Sequence, residues 1–212
     1  MTLIRHPRTY EEWGEVRKEL TVDGLVGMGH LLSSSLPLRV YPDSILSKIS
    51  EPVEEFGTDE LGRLCEQMHI TMFYNDGVGL SAVQVGQLKR IITMKFPETI
   101  VENGKTYDVS RPYNFINPEI RETVTNQFKF SEGCLSVPGY FEERERSNAI
   151  LLRYQTIHGD TEVHWFEGEE AFCIQHEIDH LDGKLFIDDL SPLKKERIGK
   201  KIAKMMRKRN SD

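Results

Sequence analysis

Five consecutive residues, His176-Glu177-Ile178-Asp179-His180, have the types and the spacing of a metal-dependent hydrolase. On a helix, positions four apart lie ~40° apart and one turn up, so both imidazoles reach one ion. Glu177 lies ~100° round from His176, beside that ion but aimed at what the ion binds. A carboxylate placed in this way suits a general base that takes a proton from metal-bound water. The plainer alternative is a polar helix with two incidental histidines, because the motif is short. Phe172, Ile174, Ile178 and Leu181 argue against it. They make the helix half buried, and buried ionisable groups need a reason to be there.

Catalytic sites of this kind take three protein ligands and leave one position open. A large peptidase class places its third ligand, a His, at the position that Phe186 occupies here, which excludes that class. Glu196 is a carboxylate, but it stands in a basic terminal segment. Cys173 shares a face with His176, yet it is ~10.5 Å along the helix axis from His180. Metal–ligand bonds of ~2.0–2.3 Å do not span that distance easily. Cys134 remains, in Glu132-Gly133-Cys134-Leu135-Ser136, where a glycine and a cysteine end a β-like run and a ligand arrives from another element.

The elements that must position these groups are legible in outline. Thr58 or Asp59 caps a helix whose stripe is Leu61, Leu64, Cys65, Met68 and Met72. Cys65 on that stripe reads as a buried small hydrophobe. Asn75-Asp76-Gly77 ends the helix, with Gly77 suited to a left-handed cap. Arg90–Phe96, Tyr113–Ile116, Glu122–Phe130, Ala149–Thr156 and Glu162–Phe166 are β-like. Glu98–Pro112, with Asn103-Gly104, reads as a longer loop or a hairpin. The motif helix runs from about Glu169 to Leu181, and a basic helix follows Ser191-Pro192 with Ile198, Ile202 and Met205 on its apolar face. The fold class is therefore α+β: mostly antiparallel strands packed around a central helix carrying the HExxH motif, with a C-terminal helix. We divide the chain into an N-terminal extension (1–37) with a short polar helix over 9–20, a catalytic domain (38–190) and a basic C-terminal helix (191–212).

Composition narrows the function classes. The 212 residues, 38% hydrophobic and 29% charged, suit one globular domain with an extension. No stretch approaches the ~18–20 apolar residues of a membrane span. Three cysteines make no disulfide framework and point to a reducing compartment. Residues 1–38 lack a secretory apolar core and carry five acidic residues, unlike a transit peptide, so the expected location is cytoplasmic. Net charge is −7, but residues 191–212 hold nine basic and two acidic residues. A polyanionic partner would meet that tail, with a solvated helix face as the alternative.

Three blocks, taken together, resemble the peptide deformylases: Gly77-Val78-Gly79-Leu80-Ser81-Ala82-Val83-Gln84, Glu132-Gly133-Cys134-Leu135-Ser136 and Gln175-His176-Glu177-Ile178-Asp179-His180. The resemblance covers about residues 38–205. It departs at Ser81, where the family usually has Ala, a change expected to bear on local packing more than on chemistry. The resemblance implies that Cys134, His176 and His180 bind one divalent metal, Fe²⁺ in the cell, with Zn²⁺, Ni²⁺ or Co²⁺ able to substitute. It implies that Glu177 activates the metal-bound water and protonates the leaving amine, and that the Gln84 amide and the Leu135 N–H donate to the oxyanion. Gly79 would bind the substrate chain. Val78, Phe130, Phe172 and Cys173 are candidates for the methionine pocket, with ordinary core as the alternative for Phe130, Phe172 and Cys173. The implied reaction removes the N-formyl group from the initiator methionine of nascent polypeptides. The implied partner is ribosomal RNA, met by Lys200, Lys201, Lys204, Arg207 and Lys208. Two other readings remain: a metallopeptidase cutting internal peptide bonds, and a catalytically inactive ribosome-associated relative.

Overall fold

The computed structural model describes residues 35–102 and 105–209, with the backbone alone over 97–111. The expected helix at 9–20, most of the N-terminal extension and the Asn103-Gly104 turn lie outside the described residues. Among the described residues there are three α-helices: α1 (Asp59–Tyr74), α2 (Gly168–Leu181) and α3 (Pro192–Arg209). The strands are β1 (Gly79–Ser81), β2 (Ile91–Glu102), β3 (Lys105–Thr123), β4 (Gln127–Gly133), β5 (Phe141–Ser147), β6 (Ala149–Gln155) and β7 (Thr161–Glu167). Five of them form an antiparallel sheet in the order β1-β2-β3-β6-β7, and β4 pairs with β5 in a separate antiparallel ribbon.

At β2 the sheet is covered on both faces, which explains the unbroken buried run Ile91-Ile92-Thr93-Met94. Ile92 and Met94 turn toward α2 and pack with Phe115, Ile150, Leu152, Phe166, Ile174 and Ile178. Ile91 turns the other way and joins Leu61, Cys65, Met68 and Met72 of α1. Burial pushes the Cys65 thiol up to about 12, so it is a neutral, core-filling group, as its place on the stripe suggests.

The Thr58 side chain accepts the Leu61 N–H at 3.2 Å and starts α1, with Asp59 and Glu60 favourably placed in the first turn. Its end differs from expectation. Asp76, not Gly77, takes the left-handed conformation, at φ 54°. Gly77 is needed for space instead: a Cβ there would stand 2.8 Å from Leu135 Cδ1.

Two further expectations are corrected, and of the two alternatives for Glu98–Pro112 the hairpin is the one found. Glu122–Phe130 is not one strand; β3 ends at Thr123 and β4 begins at Gln127. Glu98–Pro112 is the outer part of a hairpin paired in register as far as Glu102 and Lys105. On α3, Ile198 and Ile202 are buried but Met205 is exposed, and Met206 joins their cluster. The contact follows the i, i+4, i+8 row, which turns ~40° round the helix at each step, and leaves the i+7 position outside it. Strand β5, Phe141-Glu142-Glu143-Arg144-Glu145-Arg146-Ser147, had no apolar pattern to reveal it. Its charges are held by specific partners: Glu142 by Lys194 and Tyr140, Arg144 by Asp189, and Arg146 by Glu132 and Asp179. No helix among the described residues is long and apolar enough to cross a membrane.

Candidate active site

Helix α2 presents two opposed faces. Gln175, Ile178, Asp179 and Asp182 line a cavity of about 390 Å³ on one side, with Arg90, Pro118, Glu119 and Ile120. His176, Glu177, His180 and Cys173 fall on an arc of about 100° on the opposite side. Strand β4 delivers Cys134 to that second face. Gly133 precedes it because a Cβ there would stand 2.5 Å from the Phe141 ring of the paired strand.

Sγ of Cys134 and one ring nitrogen from each of His176 and His180 lie within 4.8 Å of one another, the one such group among the described residues. Cys134 Sγ is 3.1 Å from His180 Nε2. The two imidazoles meet edge to face with centroids 4.8 Å apart. One sulfur and two imidazoles are a donor set that fits a divalent transition metal. The surroundings fit as well. His176 Nδ1 is 2.7 Å from Glu132 Oε2, which turns the other ring nitrogen toward the cysteine. His180 Nδ1 is buried and has no hydrogen-bond partner among the described residues. Burial works against charge on both rings. At His176 the Cys134 sulfur and the Glu132 carboxylate outweigh it and hold the ring well above the ordinary imidazole range. At His180 the charges of His176 and Arg146 add to burial, so that ring sits well below it and keeps a lone pair for a ligand.

Glu132 stands in the Cys134 block, and Arg146, on a charged run with no motif of its own, is its partner. Arg146 donates to both Glu132 oxygens, at 2.6 and 3.0 Å, and to Asp179 at 2.6 Å. Burial would raise the Glu132 carboxyl, but hydrogen bonds and charge from His176 and Arg146 bring it down to about 2. The chain Asp179–Arg146–Glu132–His176 therefore fixes one face of the site. Replacing Arg146 with Met should cost about 3–5 kcal/mol in denaturant unfolding, because it strands a buried carboxylate. It should also weaken metal retention roughly 10–100-fold through His176. A variant with wild-type stability would show that Glu132 does not depend on Arg146.

Gln84 is buried in the 3₁₀ turn Ala82–Val85 that follows β1. Its Oε1 accepts the Ser81 N–H at 2.8 Å, which settles the orientation of the amide. Nε2 then points to Ser136 Oγ at 3.1 Å and Cys134 Sγ at 3.5 Å. The Leu135 N–H, one residue past the cysteine, has no acceptor among the described residues. Both donors therefore border the cysteine.

Ser81 does more than the expected local packing. Its hydroxyl lies 2.6 Å from Glu177 Oε2. The Glu177 carboxyl is raised by burial, with the His176 charge and the Ser81 hydroxyl pulling it back in part. Gly79 leaves its space to this same carboxylate rather than to open cleft: a Cβ there would stand 2.7 Å from Glu177 Oε1. Of the pocket candidates, Phe130 and Phe172 pack with ring centroids 4.9 Å apart. Val78 is half exposed, and nothing among the described contacts joins it to the two rings. Cys173 packs against the core, and burial together with Glu177 and neighbouring carboxylates pushes its thiol up to about 12. Phe186 is buried with its ring centroid 5.9 Å from that of His176. Apolar packing fills the place where the peptidase class would need a ligand.

Known proteins match this chain in sequence and in fold. The family described as polypeptide deformylase matches residues 35–196. A peptide deformylase from Afipia carboxidovorans is 44% identical over 163 residues, 77% of this chain and 91% of its own. The crystal structure of peptide deformylase from Ehrlichia chaffeensis superposes with a TM-score of 0.72 at 38% identity, covering 81% of this chain and 97% of that one. A Met-Ala-Ser-bound class I type b peptide deformylase from Acinetobacter baumannii superposes at 0.65 with 32% identity, covering 74% and 98%. With three motif blocks in order and a matching fold, this chain belongs to the polypeptide deformylase family.

Proposed function

We propose that this protein hydrolyses the formamide of N-formylmethionyl peptides, giving formate and a free α-amine. The observation that carries this reading is the meeting of Cys134, His176 and His180 on the Glu177 face of α2, in a chain of the deformylase family. We assign Cys134, His176 and His180 as metal ligands and read Fe²⁺ as the cellular ion. A divalent metal bound there would supply Lewis acidity, polarising the formyl oxygen and making water more acidic.

The chain's own groups supply the rest. Glu177 accepts a proton as water attacks the formyl carbon, then gives it to the amine nitrogen as the C–N bond breaks. The Gln84 Nε2 and the Leu135 N–H donate to the oxygen that gains charge. One such donor is worth roughly 3–4 kcal/mol in other enzymes. A formyl carbon bears only hydrogen, so a narrow cleft admits it and turns away bulkier acyl groups. Phe130 and Phe172, with Cys173 behind them, offer the apolar surface for a methionine side chain, and Val78 and Gly79 border the peptide. The A. baumannii protein that binds Met-Ala-Ser is consistent with a product of this kind. We retain residues 38–190 as the catalytic unit, with the motif helix at its centre, and infer a reducing, cytoplasmic location that keeps Cys134 as a thiol. Formate release from formyl-Met-Ala-Ser by anaerobically purified protein is the test. Release abolished by a chelator is the expected result. No release from protein carrying about one metal per chain would overturn the reading.

The basic helix α3 is read as a contact for ribosomal RNA, since Lys200, Lys201, Lys204, Arg207 and Lys208 are exposed along it. Deleting the helix would be a poor test, because Ile198 and Ile202 belong to a core cluster with Leu46, Val137 and Phe186. Reversing charge at Lys200, Lys204 and Lys208 leaves that core intact. Ribosome binding should fall by about tenfold or more and steeply with salt, while short-peptide turnover holds. Unchanged ribosome binding would sink this assignment.

A further inference from the structure

Ser81 ends β1 fully buried, and its two donors serve two different site groups. Its N–H goes to Gln84 Oε1 at 2.8 Å. Its hydroxyl stands 2.6 Å from Glu177 Oε2 and 2.8 Å from the Glu177 carbonyl oxygen. A hydroxyl has one proton to donate, so these two oxygens compete for it. The carbonyl lies four residues before Leu181 in α2, where the helical ladder provides a donor. The carboxylate oxygen has the shorter contact, of the length typical of a charge-assisted bond. The proton therefore belongs to Oε2.

The other oxygen is placed by space. Gly79 and Ser81 are two apart on one strand and face the same way. A Cβ at Gly79 would stand 2.7 Å from Glu177 Oε1 and 3.0 Å from Cγ. Ser81 thus holds one oxygen of the carboxylate while Gly79 makes room for the other. The terminal torsion of a glutamate is broad and roughly two-fold, so without such a tether the carboxylate turns freely.

We propose that Ser81 is a positioning residue that fixes the Glu177 carboxylate through Oε2, so that Oε1 above Gly79 is the oxygen that moves the proton. The same residue sets Gln84 through its backbone, which ties the base and the oxyanion donor to one point of β1. The inference rests on the reading of Glu177 as the proton carrier.

Ser81→Ala keeps the backbone donor to Gln84 and removes only the hydroxyl. The test compares metal-loaded wild type, S81A, E177Q and the double variant on formyl-Met-Ala-Ser, with metal content and thermal midpoint measured for each. The kcat of S81A should fall about tenfold, the size of one charge-assisted hydrogen bond, with KM within about twofold. In the E177Q background the same change should add less than about twofold, because its route is already gone. A crystal structure of S81A should show the Glu177 carboxylate in more than one orientation. A kcat within about twofold of wild type, or an equal loss in both backgrounds, would overturn the proposal. E177Q with wild-type turnover would sink the base assignment and this proposal together. A large E177Q loss beside a silent S81A would sink the role of Ser81 alone.

Discussion

Glu177→Gln protein should keep about one metal per chain and lose turnover by roughly two to four orders of magnitude, the usual range for a positioned acid–base group. The ligand set does not include Glu177, so metal content is expected to hold. The carboxylate is buried beside Gly79 and Ser81, so nothing from solvent replaces it readily. Gln fills the same volume and can still hydrogen bond to Ser81, but it cannot take a proton at neutral pH. KM for formyl-Met-Ala-Ser should change little, because the change removes proton transfer rather than binding. Formate release measured at high enzyme concentration, with metal analysis of the same sample, separates the outcomes. Near-normal turnover would remove Glu177 as the base. Loss of turnover together with loss of metal would mean that Glu177 supports the ligands instead.

Cys134→Ser should lose the metal. A serine hydroxyl stays protonated at neutral pH and is a far poorer ligand than a thiolate. Loss of a group that merely supports a ligand costs roughly 10–100-fold in affinity, so loss of the ligand itself should exceed that. Dialysis followed by metal analysis measures this directly, and turnover should fall with bound metal. Cys173→Ser is the control. That thiol is raised to about 12 by burial and carboxylates and packs against the core, so metal content should not change. A Cys173 variant that loses metal while the Cys134 variant keeps it would reverse the ligand assignment.

The local patterns were strong enough to read where one period dominates. The stripe from Leu61 to Met72 and the Thr58 cap define α1 in sequence and in space. The motif on α2 also carries its geometry within a single helix, since helical spacing alone puts His176 and His180 on one face. Strand β5 was not legible, because its alternation is one of charges, and a charged run looks like a solvated loop until its partners are known. Met206 in place of Met205, and Asp76 in place of Gly77, were one-residue errors. In each, the neighbouring surface chooses between two local solutions of similar cost.

By itself the sequence determined the chemistry available: a thiol, two imidazoles, a carboxylate and an amide, in three recognisable blocks. Only the tertiary structure decided which groups serve which. Ser81 and Glu177 are 96 residues apart, Gln84 and Ser136 are 52 apart, and His176 and Glu132 are 44 apart. No local periodicity encodes such pairs. They follow from the joint packing of the five-stranded sheet, the β4–β5 ribbon and α2, which fixes their relative positions through burial spread over the whole core. That packing sets Ser81, a small departure in a motif, against the Glu177 carboxylate.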